Sequence, residues 1–282
     1  MKFVKRYVKP LLVLLVPLCV LLCFIAYHCI HGRLLPFMPG IIGFEHKDFS
    51  RARVYYHKGA DLSTLDQIDQ WVEDVERSHG MKFPKRLDVL LCSSDNEYTR
   101  FSGIRARSCS MPIHGRICLS HRAQEDAKAG TIHLNVYMRH EMSHSILYQN
   151  MRWLMPLESP NWLMEGLAVY HAGQRGVDGY FTRDQVREKM REGYFLNPLD
   201  YVSRLWGTSP AFKEFPLPNK WWFIYSEMAC FIEDLIQSRG EDKFQLFLAG
   251  VLQGQEVAKA FQSVYCQNID SQVEEYRKRM LN

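Results

Sequence analysis

The stretch VYMRHEMSHSILYQN, residues 136–150, sets two histidines four residues apart, His140 and His144, with Glu141 directly after the first. On a helix, side chains at i and i+4 lie one above the other on the same face, so the two imidazoles can converge on one ion. Glu141 is turned about 100° away from His140 at roughly 3.6 residues per turn. That offset places its carboxylate beside a metal rather than on it. The HExxH pattern therefore has a mechanical rationale: two zinc ligands and a base for water on one helix. In a chain with 11 histidines the motif alone is not decisive, because exposed i,i+4 histidines are often merely solvated.

A third ligand is offered downstream. In SPNWLMEGLAVY, 159–170, Glu165 stands twenty-one residues after His144, on a helix expected to start after Pro160. The intervening loop permits a helical hairpin. A carboxylate there completes a His₂Glu set with one position left open, the arrangement of catalytic rather than structural zinc.

HEMSH followed by Pro-x-Trp-x-x-Glu-Gly-x-Ala-x-Tyr resembles the gluzincin metallopeptidases, the superfamily of thermolysin and the aminopeptidase N family, and in its phrasing the smaller peptidase-MA-like domains. The resemblance implies a zincin-like fold, Zn²⁺ as cofactor, His140, His144 and Glu165 as metal ligands, and Glu141 as general base in peptide-bond hydrolysis. The segment 220–250 is similar to a later helix pair of the aminopeptidase N family, which implies that Tyr225 contacts the oxyanion. Gly115–Ser120 resembles the edge strand along which extended substrates lie. Two features of relatives are missing. No GxMEN-type segment is present, so exopeptidase action is not supported, and Val169 stands where thermolysin-like enzymes carry an acidic residue behind the ligands. Asp178 and Glu158 are candidate replacements for that acidic partner. His114, His121, His133 and His171 lie nearby without ligand spacing and read as surface or cleft residues.

The N-terminus carries a separate signal. Lys2, Lys5, Arg6 and Lys9 precede residues 11–30, which hold no formal charge. Twenty helical residues rise roughly 30 Å, the thickness of a bilayer's hydrocarbon core. The expectation is an uncleaved transmembrane signal anchor, since no small-residue cleavage site follows Ala26. The excess of cations before the span places the N-terminus in the cytoplasm and the rest outside it, periplasmic or extracellular.

Of 35 Lys and Arg, five fall within residues 1–33, leaving 30 against 31 acidic residues. That balance leaves no electrostatic footprint for nucleic acid. Of the 8 cysteines, Cys109 and Cys118 flank a short loop and read either as a disulfide or as buried thiols.

The 282 residues, 47% of them hydrophobic, suffice for a large core. Expected boundaries are a basic flank at 1–10, the anchor at 11–30, a linker rich in Pro and Gly at 31–48, and a catalytic domain at 49–282, divided into an α/β half (49–150) and a helical half (151–282). Strands are expected at 52–57, 86–92, 115–120 and 131–135, and a helix after a capping box at Ser63-x-x-Asp66. Helices are expected at 136–150, 161–174, 182–193, 219–239, 241–252 and 268–281. The class is α+β. The function expected is a membrane-anchored zinc metallopeptidase acting on a peptide or protein substrate. The alternatives are an inactive zincin-like scaffold at the membrane, or a zinc hydrolase acting on a cell-wall peptide amide.

Overall fold

The computed structural model describes the backbone of residues 2–152, 160–201, 203–204 and 207–282, and the side chains of 15–152, 160–201 and 209–282. A helix α1 (Lys2–His31) leads into strands β1 (Glu45–Asp48) and β2 (Ala52–Tyr56), helix α2 (Ile68–His79), β3 (Leu87–Leu91), α3 (Asp95–Ser102), β4 (Ser108–Met111), β5 (Arg116–Leu119) and α4 (His121–Lys128). Helices α5 (Leu134–Asn150), α6 (Asn161–Ala172) and α7 (Arg183–Arg191) follow. A two-residue ladder comes next, β6 (Ser203–Arg204) and β7 (Gly207–Thr208), then α8 (Pro210–Glu214), α9 (Lys220–Arg239), α10 (Glu241–Leu252), α11 (Val257–Tyr265) and α12 (Ile269–Leu281). The class is α+β.

The five-stranded sheet runs in the order β1-β2-β3-β5-β4. Its centre, β2-β3-β5, is parallel, and both outer strands are antiparallel to their neighbours. Alternation along β3 decides its two faces. Leu87, Val89 and Leu91 join the main core with Ile68, Trp71, Val72 and Val75 of α2 and Met138, Met142 and Ile146 of α5. Leu90 points the other way, into a smaller cluster with Tyr98, Phe101 and Cys118. Leu35 and Ile41, within 31–48, are buried in that same cluster, and Arg116 fastens the segment by donating to the carbonyls of Pro36 and Met38 while pairing with Asp88.

Several expectations are corrected. Among the described residues no helix is long and apolar enough to cross a membrane. The transmembrane anchor at 11–30 is therefore not supported, nor are the single-pass topology, the cytoplasmic N-terminus and the extracytoplasmic catalytic domain that depended on it. The helix is one continuous element that takes in the cationic Lys2, Lys5, Arg6 and Lys9 at one end and His28 and His31 at the other.

The strand expected at 131–135 is absent, because α5 already starts at Leu134 and a five-residue apolar run does not by itself distinguish strand from helix. No capping box forms at Ser63. Ser63–Leu65 is a 3₁₀ turn and α2 begins after Gln67. The edge of the sheet beside α5 is β4, not the strand at 115–120, since β5 lies between β3 and β4. Cys109 and Cys118 are register partners across β4 and β5, and both are free thiols.

Candidate metal centre

α5 is buried on nearly all sides, so each polar side chain along it must find a partner or a ligand. Ser143 and His79 hydrogen-bond through Oγ and Nε2 at 2.9 Å. Ser145 Oγ donates to the Glu141 carbonyl at 2.8 Å and lies 2.8 Å from Ser110 Oγ of β4. The turn between β4 and β5 presses on the same helix. A Cβ at Gly115, whose φ is +64°, would sit 2.7 Å from the Ser145 carbonyl oxygen. Only glycine tolerates both that conformation and that approach.

The remaining polar groups of α5 converge. His140 Nε2 and His144 Nε2 are 3.2 Å apart, and Glu165 Oε2 lies 3.4 Å from the first and 3.5 Å from the second. One potential ligand atom from each residue falls within 4.8 Å of the others, the only such group among the described residues. Burial opposes ionisation of Glu165, yet the two imidazoles, His144 foremost, outweigh it and hold the carboxyl well below its usual range. Glu165 Oε2 and His144 Nδ1 are both buried without a hydrogen-bond partner in the protein. Two imidazole nitrogens and a carboxylate oxygen crowded together, with an oxygen among them that finds no protein partner, are donor types that suit zinc.

Glu165 reaches this point because Gly166 lets α6 press against α9. A Cβ there would lie 2.9 Å from both the Met228 carbonyl oxygen and Ile232 Cγ1. α9 in turn carries Tyr225, whose hydroxyl is 3.3 Å from that of Tyr201. Burial first, and the Glu165 carboxylate second, push the Tyr225 phenol up. Glu141 is buried, outside the ligand group, and accepts a hydrogen bond from Ser108 Oγ of β4 at 2.9 Å.

Two residues of this site have no sequence signal of their own: Ser108, and Gln174, whose Oε1 lies 2.8 Å from His140 Nδ1. Asp178 instead accepts from the backbone N–H of His133 and pairs with its ring, both at 3.0 Å. Glu158 lies outside the described residues. His171 lies against His79 with ring centroids 4.0 Å apart and the rings tilted by 45°, and it is not a member of the His140–His144–Glu165 group.

No family model and no curated protein matches the chain. Among solved structures it is similar to a two-domain M1 zinc metallopeptidase variant bound to L-arginine, with 14% identity, 85% of this chain and 51% of that one covered, and a TM-score of 0.47. It is also similar to a variant of an M1 zinc metallopeptidase from Deinococcus radiodurans, with 14% identity, coverage of 84% and 51%, and a TM-score of 0.46. An M1 zinc metallopeptidase from Deinococcus radiodurans gives 15%, 84% and 50%, and 0.44. The chain spans about half the length of the solved structures it matches.

Proposed function

We propose that this chain is a zinc-dependent metallopeptidase of the gluzincin kind, hydrolysing peptide bonds. The observation that supports the reading is the convergence of His140, His144 and Glu165 beside a buried carboxylate, Glu141, that is not part of the ligand group. Structural zinc sites are closed by four protein ligands, whereas three ligands with a separate carboxylate suit hydrolysis.

His140 and His144 through Nε2, and Glu165 through its carboxylate, would hold the zinc. Bound there, it supplies Lewis acidity to a scissile carbonyl and to water, whose pKa falls toward about 7. Glu141 takes the proton of the attacking water and delivers it to the departing amine. Ser108 steadies that carboxylate through its hydrogen bond. Tyr225 donates its O–H to the carbonyl oxygen as negative charge builds there, an interaction strongest in the transition state. An extended peptide would pair its backbone with the open edge of β4, giving affinity with little dependence on sequence.

The test is zinc content, a thermal melt and peptide-library cleavage measured on the same variants. Glu141→Gln is expected to fold and keep zinc while cleavage falls about 10²–10⁴-fold. Tyr225→Phe should also keep zinc and lose about 10²–10³-fold. Wild-type rates in Glu141→Gln, or stoichiometric zinc after His140 and His144 are both changed to Ala, would refute the assignment. A wild-type chain that binds zinc yet cleaves no peptide would favour a scaffold.

A further inference from the structure

The turn that ends α6 returns to the ligand helix. Gly173 takes the left-handed conformation at φ 65°, and the N–H groups of Gly173 and Gln174 donate to the carbonyls of Tyr170 and Val169. This is the Schellman closure, which reverses the chain sharply after a helix. It carries Gln174 into the core at 1% exposure, with Oε1 2.8 Å from His140 Nδ1. We propose that Gln174 is the positioning residue of the centre, holding the His140 proton on Nδ1 so that Nε2 offers a bare lone pair to the zinc. The proposal rests on the metallopeptidase reading of the cluster.

Only one orientation of the amide does this. Turned over, its N–H₂ would face Nδ1 and force the imidazole proton onto Nε2. That proton would then point into the space between Glu165 Oε2, at 3.4 Å, and His144 Nε2, at 3.2 Å, where the ion has to sit. The Tyr180 phenol lies near enough to the Gln174 side chain to feel its amide. Its oxygen can accept from the amide N–H₂, which leaves Oε1 for His140. His144 is the internal contrast, because its Nδ1 is buried with no partner in the protein. As a neutral amide, Gln174 also fixes the ring without adding a charge to a pocket that already contains Glu141 and Glu165.

The experiment uses the full-length chain, with zinc affinity measured by competition against a chelating dye. Gln174→Leu keeps the volume and removes the acceptor, whereas Gln174→Glu keeps the acceptor. Loss of an outer-sphere partner typically costs 10- to 100-fold in metal affinity, and that weakening is expected for Gln174→Leu. The slowly exchanging His140 Nδ1–H resonance of the zinc-loaded protein should vanish with it. Gln174→Glu should stay within a few-fold of wild type and retain the resonance, a rescue that a purely space-filling role does not predict. If Gln174→Leu fails to fold, Gln174→Met is read by the same criteria. Zinc affinity within twofold of wild type in the folded apolar variant overturns the proposal and leaves the metal centre standing. A wild-type chain that takes up no zinc overturns both.

Discussion

Ser108 and Glu141 are 33 residues apart in the chain and 2.9 Å apart at the site, a contact that depends on β4 lying against α5. Ser108→Ala removes one hydrogen bond to a carboxylate, worth about 1.5–3 kcal/mol where the acceptor is charged. In the proposed mechanism the serine steadies the Glu141 carboxylate and binds no metal, so the expected effect is a fall in kcat of roughly 10- to 100-fold, since each 1.36 kcal/mol is tenfold in rate. Zinc affinity should be unchanged, and parallel kcat and zinc titrations check both. Equal kcat would show that Glu141 needs no such support. The convergence of His140, His144 and Glu165 is legible in the sequence because helical spacing alone places two of them together and a second helix supplies the third. Ser108 and Gln174 are not, since a serine in a polar run and a glutamine after a glycine gain their meaning from tertiary contacts. The nearest hint was Gly173, a residue type that commonly closes a helix and so marks where the chain turns back.

Elements were readable where the period was long and regular. α5, α6, α9, α10 and α12 begin and end within about two residues of the expected bounds. β4 escaped notice because Ser108-Cys109-Ser110-Met111 has no β-branched or aromatic residue, and an alternation only four residues long carries little weight. α3 and α4 are single eight-residue helices, each capped by a serine, Ser94 or Ser120, that accepts from the backbone three residues on. Those caps were visible in the sequence, but the segments were too short for periodicity to confirm them. The closeness of α6 to α9 yields a prediction at this scale. Gly166→Ala gains up to about 1 kcal/mol of helix propensity, yet its methyl would meet the Met228 carbonyl, a backbone atom that cannot rotate away. Overpacking of this kind costs typically 1–3 kcal/mol, so a net loss is expected. It should appear as a melting temperature lower by a few degrees, together with weaker zinc binding as α6 and its Glu165 are pushed outward. A variant as stable as wild type would mean that the two helices can separate freely.

At the scale of the whole molecule, the α+β class followed from strand-like segments early and helices late, whereas the membrane anchor, read from the uncharged run at 11–30 and the cations before it, is not supported by the structure. Nor could composition show that Leu35 and Ile41 pack beneath the sheet, because both sit in a segment without periodicity. The packing of three helices around buried histidines gives the molecule a dependence on pH. His79 at the end of α2 hydrogen-bonds to Ser143 of α5 and packs its ring against His171 of α6. Burial lowers both imidazoles, His79 well below the ordinary value of 6.5 and His171 to about 4. Above pH 6.5 each is neutral whether the chain is folded or not, and neither alters stability. Below it the unfolded chain binds protons that the folded chain excludes, so stability falls with pH until His171 itself protonates near 4. At 1.36 kcal/mol per unit of pKa difference, His171 alone accounts for about 2 kcal/mol between pH 7 and 5. Thermal melts of the chain in excess chelator, which removes the separate effect of acid on metal binding, should show a steep decline over that range. His171→Phe keeps a ring against His79 but cannot titrate, and it should flatten the decline by about that amount. An unchanged slope in His171→Phe would place the acid sensitivity elsewhere.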